Sequence, residues 1–211
     1  MTRFFLVRHG ETEWNRIRRI QGASDIPLND TGRKQARQVG DILAGHRFDL
    51  LVSSPLSRAM ETALIIAKRL SMPAPLPVAN LTERHYGDAE GKTGAELDEL
   101  FPGDTPVPGR EPREDVQKRV VHALKDLAIR HPHADIIAVC HGGVIRSVVE
   151  YAAPGRFVEP ITNCSIHSFE HSHRGLELIA FDDPMEVDSH TIASDEFVDQ
   201  NPAESRQGAY R

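Results

Sequence analysis

The stretch FFLVRHG at residues 4–10 opens the regular part of the sequence and decides the class of fold that it predicts. Four apolar residues in succession, closed soon after by a glycine, are typical of a short strand that is buried on both faces. Similar, largely apolar runs occur at residues 49–52 and 135–140, and a helical pattern of apolar residues follows each run. Strands that alternate with helices predict an α/β fold, here a three-layer α/β/α sandwich with a largely parallel central sheet.

Caps and breakers give the expected bounds of the other elements. Thr31 is the expected N-cap of one helix, and Ser54-Pro55 are expected to cap a second helix that runs to about Leu70. Residues 11–30 and 87–112, which are rich in polar residues, Pro and Gly, are predicted to be loops. The remaining predictions are a short strand near residue 78, helices over 116–127 and 142–148, and a closing hairpin over 166–169 and 176–181.

Composition and charge exclude several classes of protein. The chain has 211 residues, enough for one domain with a full core. Its net charge is −6, whereas proteins that bind nucleic acid or anionic membranes usually carry a basic excess. Its two cysteines, Cys140 and Cys164, are too few for a disulfide scaffold and fit core thiols of a reducing compartment. No apolar run approaches the ~18 residues of a membrane span.

These properties predict a cytoplasmic protein that binds neither nucleic acid nor membrane. The apolar run at the start is short and is followed at once by charge, unlike the apolar region of a secretory leader. Beyond Phe181 the composition turns polar and acidic. We therefore expect one domain over residues 1–181 and a polar C-terminal tail over residues 182–211.

The polar residues that follow the predicted strands are the candidates for chemistry. Ligands of open α/β sheets bind outside the carboxyl ends of the strands, so residues at these ends are expected to meet at one rim. The candidates there are Arg8-His9-Gly10, Ser53-Ser54 with Arg58 in the next helix, Glu83-Arg84, and His141-Gly142-Gly143. Two histidines, several arginines and one carboxyl group are thus expected at the same place.

These residue types suit phosphoryl transfer through an imidazole. A neutral histidine attacks phosphorus, and arginines make charge-assisted bonds to the phosphate oxygens. The same arginines disfavour the imidazolium and so keep the nucleophile neutral. A carboxylic acid beside the phosphate protonates the leaving oxygen, and glycines let the backbone approach the anion. Because the cations stabilise the transition state, no metal is required.

At this point the sequence resembles a known family. Residues 6–15, LVRHGETEWN, closely resemble the signature of the histidine phosphatase superfamily in its phosphoglycerate mutase-like branch. The resemblance continues in order through residues 21–32, 53–62, 81–91 and 141–143, and it covers roughly residues 4–181.

The resemblance implies a role for each matched residue. His9 is implied as the phosphorylated nucleophile and Glu83 as the proton donor. Arg8, Arg58 and His141 are implied to surround the phosphoryl group, and together with His9 they are called the phosphate pocket below. The implied substrate-binding residues are Thr12, Asn15, Gln21, Gly22, Arg84 and Gly142. Members of this family bind no metal, so we expect neither metal nor cofactor, and a small phosphorylated substrate as the ligand.

Two other functions compete with phosphatase activity. Residues 83–87, ERHYG, resemble the acid motif of cofactor-dependent phosphoglycerate mutases, but those enzymes carry a longer insertion after it. Here the insertion is short, and Gly94 stands where the mutase lysine is expected, which favours hydrolysis. A non-catalytic phospho-ligand binding module is disfavoured because both His9 and Glu83 are present.

Two further expectations concern specificity and assembly. Residues 108–112, PGREP, resemble a segment of the small phosphatases in which Arg110 replaces a glycine and Pro112 replaces a serine. Arg110 is therefore a candidate contact for an acidic substrate. A homodimer is compatible with the family, although the sequence carries no interface motif.

Overall fold

A single six-stranded sheet organises residues 1–185, the part of the chain that the computed structural model describes. The strands are β1 (Thr2–Arg8), β2 (Leu50–Ser53), β3 (Leu76–Pro77), β4 (Asp135–Cys140), β5 (Ile166–Ser172) and β6 (Gly175–Ala180). Their order is β3-β2-β4-β1-β5-β6. The first four are parallel to one another, and β5 and β6 add an antiparallel hairpin at one edge. Most of the predicted tail, residues 186–211, lies outside the described residues.

Helices cover both faces of this sheet, as the three-layer prediction requires. They are α1 (Glu13–Arg16), α2 (Asp30–Leu43), α3 (Ser57–Leu70), α4 (Gly94–Leu100), α5 (Arg113–Arg130) and α6 (Gly142–Ala152). The short helices α1 and α4 interrupt regions that were predicted to be loops, and both begin at a threonine capping box, at Thr12 and Thr93. None of the helices between residues 1 and 185 is both long and apolar enough to cross a bilayer.

Strand β1 lies at the centre of the core and is apolar on both sides. Phe4 and Leu6 pack with the cluster under α5 and α6, whereas Phe5 and Val7 pack with the cluster under α2 and α3. All four are buried, which explains why the run has no polar alternation. Each such side chain contributes about 1.5–3 kcal/mol on burial, so β1 holds both layers against the sheet.

Two predicted helix caps were wrong, and in both cases another polar residue provides the hydrogen bond. Asn29, not Thr31, is the N-cap of α2, since its side chain accepts a bond from the Gly32 amide at 2.8 Å. Helix α3 begins at Ser57 rather than directly after Ser54-Pro55, and the carboxylate of Asp25 accepts the Ser57 amide at 2.7 Å. Ser54 is thereby left for a contact inside the candidate site.

Candidate active site

The carboxyl ends of the parallel strands bring the predicted catalytic residues together. Arg8 ends β1 and His9 follows it, Arg58 lies in the first turn of α3, and His141 is the N-cap of α6 after β4. Glu83 follows the 3-10 turn Ala79–Leu81 beyond β3. All five side chains are buried, and the rings of His9 and His141 lie 5.2 Å apart between centroids.

His9 is held as a neutral imidazole with a defined proton position. Its Nδ1 lies 2.7 Å from the carbonyl oxygen of Gly10, and because a carbonyl only accepts, the ring proton is on Nδ1. Burial, followed by the positive charges of Arg58 and Arg8, lowers the pKa of His9 well below its ordinary value. The Nε2 lone pair is therefore available for attack on phosphorus.

The two arginines of the phosphate pocket are fixed by backbone carbonyls. Arg58 donates from Nη1 to Ser24 O and from Nη2 to Gly22 O, each at 2.8 Å. Arg8 donates from Nη1 to Ile161 O, in the loop before β5. Burial lowers the pKa of Arg58 to about 10, so its guanidinium remains charged near neutral pH. Two positive charges are thus held in place beside His9 by hydrogen bonds to backbone carbonyls.

His141 completes the phosphate pocket with a second neutral imidazole. Its Nε2 lies 2.7 Å from Ser54 Oγ, and burial, followed by the charge of Arg58, lowers its pKa well below the ordinary value. Its Nδ1 and the Nε of Arg58 are buried with no hydrogen-bond partner among residues 1–185. Buried polar groups are normally satisfied, so two such atoms in one pocket indicate a polar ligand. Because the charged side chains of Arg8 and Arg58 lie beside these atoms, the ligand expected there is an anion.

Glu83 is positioned by two backbone amides. Its Oε1 accepts the amide of Arg84 at 2.8 Å, and its Oε2 accepts the amide of Gly143 at 3.2 Å. A Cβ atom at Gly143 would lie only 2.7 Å from Glu83 Oε1. Glycine at this position therefore gives the carboxyl group its space at the start of α6.

Four of the six predicted substrate-binding residues, Thr12, Asn15, Gln21 and Gly22, lie in the segment after β1. Thr12 Oγ1 lies 2.9 Å from Gln21 Oε1, and Thr12 also caps α1 through Asn15. Thr12, Asn15 and Gln21 are buried, and Gly22 adopts a left-handed φ of 55° against the side chain of Glu90. Gly142 begins α6, where an ideal Cβ would be 3.6 Å from Arg8 Nε.

Arg84 and Arg110, two candidates for substrate contact, both stack on one aromatic ring. Their guanidinium carbons lie 5.4 and 5.6 Å from the centroid of Tyr86, which is fully buried. Arg84 also donates from Nε to Glu111 O at 2.8 Å. Arg84 and Gly143 share the lining of a cavity of about 220 Å³ between α5 and α6. The structure thus places Arg110 beside the acid motif, to which Arg84 belongs.

Gly10 has a packing role that the sequence did not indicate. Gly10 was expected to let the backbone approach an anion, but its amide donates to Thr62 Oγ1 at 3.0 Å. A Cβ at Gly10 would lie 2.4 Å from the carbonyl oxygen of Gly32. Gly10 is therefore required for the close contact between the first loop and α2.

Sequence reasoning missed several residues that support the site. The carboxylate of Glu90 accepts hydrogen bonds from the amides of Ala23 and Ser24 at 2.9 and 3.0 Å. It thereby connects the segment after the acid motif to the loop whose carbonyls bind Arg58. Asn163 donates from Nδ2 to His9 O at 2.9 Å. Glu90 lies inside a matched motif that could have indicated it, whereas Asn163 lies outside every matched motif.

No group of three or more His, Cys, Asp or Glu side chains among residues 1–185 is arranged to hold a metal ion. Cys140 precedes His141 in the buried strand β4, and burial raises its pKa well above the ordinary thiol value. The thiolate that a nucleophilic cysteine requires is therefore disfavoured. The buried functional groups that meet at the site are imidazole, guanidinium and carboxyl groups.

Comparisons with known proteins identify the family of the chain. Residues 4–184 match the family model of the histidine phosphatase superfamily (branch 1). The uncharacterized phosphatase PhoE of Bacillus subtilis is 38% identical over 155 residues, which are 74% of this chain and 79% of PhoE. A metal-independent phosphoserine phosphatase of Arabidopsis thaliana is 36% identical over 179 residues, 79% of this chain and 75% of that protein.

A solved structure shares the fold over almost the whole described chain. It is a histidine-to-alanine variant of phosphoserine phosphatase from Entamoeba histolytica in complex with phosphoserine, with a TM-score of 0.74 and 28% identity. The match covers 89% of this chain and 100% of that one. The chain therefore belongs to the histidine phosphatase superfamily, branch 1, and is an enzyme of the phosphatase class.

Proposed function

We propose that the protein hydrolyses small phosphomonoesters without a metal, through a phosphohistidine formed on His9, with Glu83 as the proton donor. The observation that carries this proposal is the buried, neutral imidazole of His9, whose Nδ1 proton is held by Gly10 O. Two fixed guanidinium groups and a second neutral imidazole adjoin it. A site built in this way favours a nucleophilic nitrogen and a phosphate dianion at the same place.

In the first step, Nε2 of His9 attacks phosphorus and the bond to the leaving oxygen breaks. Arg8, Arg58 and the free Nδ1 side of His141 lie where they stabilise the charge on the equatorial oxygens. The protonated carboxyl of Glu83 transfers its proton to the leaving oxygen, so an alcohol departs. The product of this step is a phosphohistidine and an ionised Glu83.

In the second step, water attacks the phosphohistidine. The carboxylate of Glu83 accepts the water proton, the P–N bond breaks, and inorganic phosphate and neutral His9 are released. Glu83 is thereby returned to its acid form, so the cycle closes with no net proton change on the enzyme. Its two backbone donors hold the carboxylate in position during both steps.

Hydrolysis is favoured over mutase activity by the segment that follows the acid motif. Only residues 92–112 separate the matched segment 81–91, which contains the acid motif, from α5, and the short helix α4 occupies seven of them. A short segment leaves the phosphohistidine open to water. Substrates in which a carboxylate accompanies the phosphate are the first to test, since two similar phosphatases are named for phosphoserine.

Phosphate release from a panel of phosphomonoesters, measured in EDTA, tests the proposal. We expect wild type to release phosphate and His9→Ala to release none, with both proteins giving the same circular dichroism spectrum. Rapid quenching with a ³²P-labelled substrate should give an acid-labile, base-stable label in wild type, which is the behaviour of phosphohistidine. Release that requires a divalent metal, or that persists in His9→Ala, would contradict the proposal. Interconversion of phosphoglycerates without release of phosphate would instead indicate a mutase.

A further inference from the structure

Ser54 and His141 form a buried pair behind the phosphate pocket. Both residues have 0% exposed surface, and Ser54 Oγ lies 2.7 Å from His141 Nε2. Ser54 follows β2 and His141 follows β4, which are neighbouring strands, so the sheet itself sets this distance. The distance is that of a well-formed hydrogen bond, and both partners lack access to water.

The surroundings of Ser54 fix the direction of this hydrogen bond. The amide of Leu56 donates to Ser54 Oγ at 3.3 Å, so the oxygen already accepts one bond. Among residues 1–185, the one acceptor within reach of the hydroxyl proton is Nε2 of His141. If Nε2 carried the ring proton instead, the buried hydroxyl would have no acceptor, and such a group is unfavourable. The hydroxyl therefore donates and Nε2 accepts.

The position of the ring proton follows from this direction. His141 is neutral because burial and the charge of Arg58 lower its pKa, so its single ring proton must be on Nδ1 when Nε2 accepts. Nδ1 has no hydrogen-bond partner among the described residues, and the ring lies next to that of His9. His141 thus presents an N–H donor, and not a lone pair, toward the phosphate pocket.

We propose that Ser54 is a positioning residue that fixes the tautomer of His141, so that a neutral Nδ1–H donates to the transferring phosphoryl group. This inference rests on the proposed function for the phosphoryl group, whereas the tautomer itself does not depend on catalysis. His9 and His141 then both carry the ring proton on Nδ1, but they turn opposite edges of the imidazole toward the substrate. His9 turns its bare Nε2 to the substrate, and His141 turns its protonated Nδ1.

Ser53 provides a matched control beside Ser54. It is also a serine with 0% exposed surface, but its hydroxyl donates to the backbone carbonyl of Ser54 at 2.9 Å and not to His141. Ser53→Ala removes the same atom from an equally buried position. A general effect of losing a buried hydroxyl would therefore appear in both variants, whereas an effect on the imidazole would appear in Ser54→Ala alone.

Long-range ¹H–¹⁵N correlation of ¹⁵N-histidine protein reads the tautomer directly, and His141→Asn assigns its signals. We expect Nδ1–H in wild type and Ser53→Ala, and a loss of that preference in Ser54→Ala. The kcat of Ser54→Ala should fall at least about tenfold with KM little changed, since one transition-state donor is weakened. If Ser54→Ala does not fold, Ser54→Cys, a weaker donor of similar size, should give an intermediate tautomer population.

Two results overturn the inference. One is an Nε2–H tautomer in wild type, and the other is an unchanged Nδ1–H tautomer in Ser54→Ala. Neither depends on phosphate release, so failure of the proposed function and failure of this inference are distinguishable.

Discussion

Replacing Gly143 by alanine should displace Glu83, the proposed proton donor, while leaving His9, the proposed nucleophile, in place. The added Cβ would lie 2.7 Å from Glu83 Oε1 and 3.3 Å from the hydroxyl oxygen of Tyr86. Ordinary contacts begin at 3.4 Å, so the carboxyl group must move by roughly 0.7 Å. Movement of this size also strains the bond from the Gly143 amide to Glu83 Oε2. Misplacement by about 1 Å costs on the order of 100-fold in rate.

The loss should depend on the leaving group. For the alkyl phosphate that wild type hydrolyses fastest, kcat of Gly143→Ala is expected to fall about 100-fold, because the alkoxide requires a proton. For p-nitrophenyl phosphate, whose leaving group departs without a proton, the fall should be less than about tenfold. Glu83→Gln provides the reference, and both variants should show the same selectivity.

Protein stability separates this effect from misfolding. Gly143 lies in the first turn of α6, where alanine is favoured over glycine by up to about 1 kcal/mol, so the variant should not unfold more readily. Urea titration checks this expectation. An equal loss with both substrates, or no loss with either, would refute the argument that Gly143 makes room for the acid.

Three further predictions concern other parts of the molecule. Burial lowers the pKa of His167 to about 3 in the folded protein, whereas its ordinary pKa is about 6.5. Below pH 6.5 the unfolded chain therefore binds a proton that the folded protein does not, and the free energy of unfolding decreases as pH falls from 6.5 toward 3. His167→Gln should flatten the dependence of unfolding free energy on pH in this window by up to about 1.4 kcal/mol per unit, and an unchanged slope between pH 7 and 5 in urea titrations would contradict this. Arg58→Lys should lower kcat/KM about 10²–10³-fold because a single ammonium cannot replace the forked guanidinium, and vanadate inhibition as strong as in wild type would argue against it. Arg110→Ala should raise KM for substrates that carry a carboxylate more than for p-nitrophenyl phosphate, and an equal change in KM for both, or no change in either, would contradict a role of Arg110 in substrate recognition.

Much of the fold could be predicted from the sequence because its central strands are buried on both faces and are therefore continuously apolar. The apolar runs at β1 and β4 have the length of strands that are buried on both faces. Apolar spacing indicated α2 and α5, whereas the expected cap Ser54-Pro55 indicated α3. The family model and the solved structure confirm the three-layer fold. The helices α1 and α4 were missed because they are four and seven residues long and depend on capping more than on apolar spacing.

The candidate site could also be located from the sequence, since Arg8 ends β1, His9 and His141 directly follow strands, and Arg58 lies in the first turn of α3. Glu83 is separated from β3 by a 3-10 turn, and the resemblance to the acid motif of the family indicated it. The residues that hold these side chains in place could not be predicted, because they are distant from them in the sequence. Asn163 lies 154 positions from His9, whose carbonyl it binds, and Asp25 lies 32 positions from the helix that it caps. Ser54 is the clearest example. Its neighbours in the sequence predict a helix cap, whereas in the structure it contacts the imidazole of a residue 87 positions away.

The central place of β1 affects how the enzyme loses activity on heating. His9, the proposed nucleophile, directly follows β1, which pairs with β4 on one side and β5 on the other and contributes side chains to both apolar clusters. The His9 amide itself donates to Cys140 O at 3.0 Å. Local opening cannot release this amide without breaking the sheet at its middle, so its hydrogen exchange should proceed only through global unfolding. Inactivation and loss of tertiary structure are then one cooperative event, and a partly loosened enzyme with an inactive site should not accumulate.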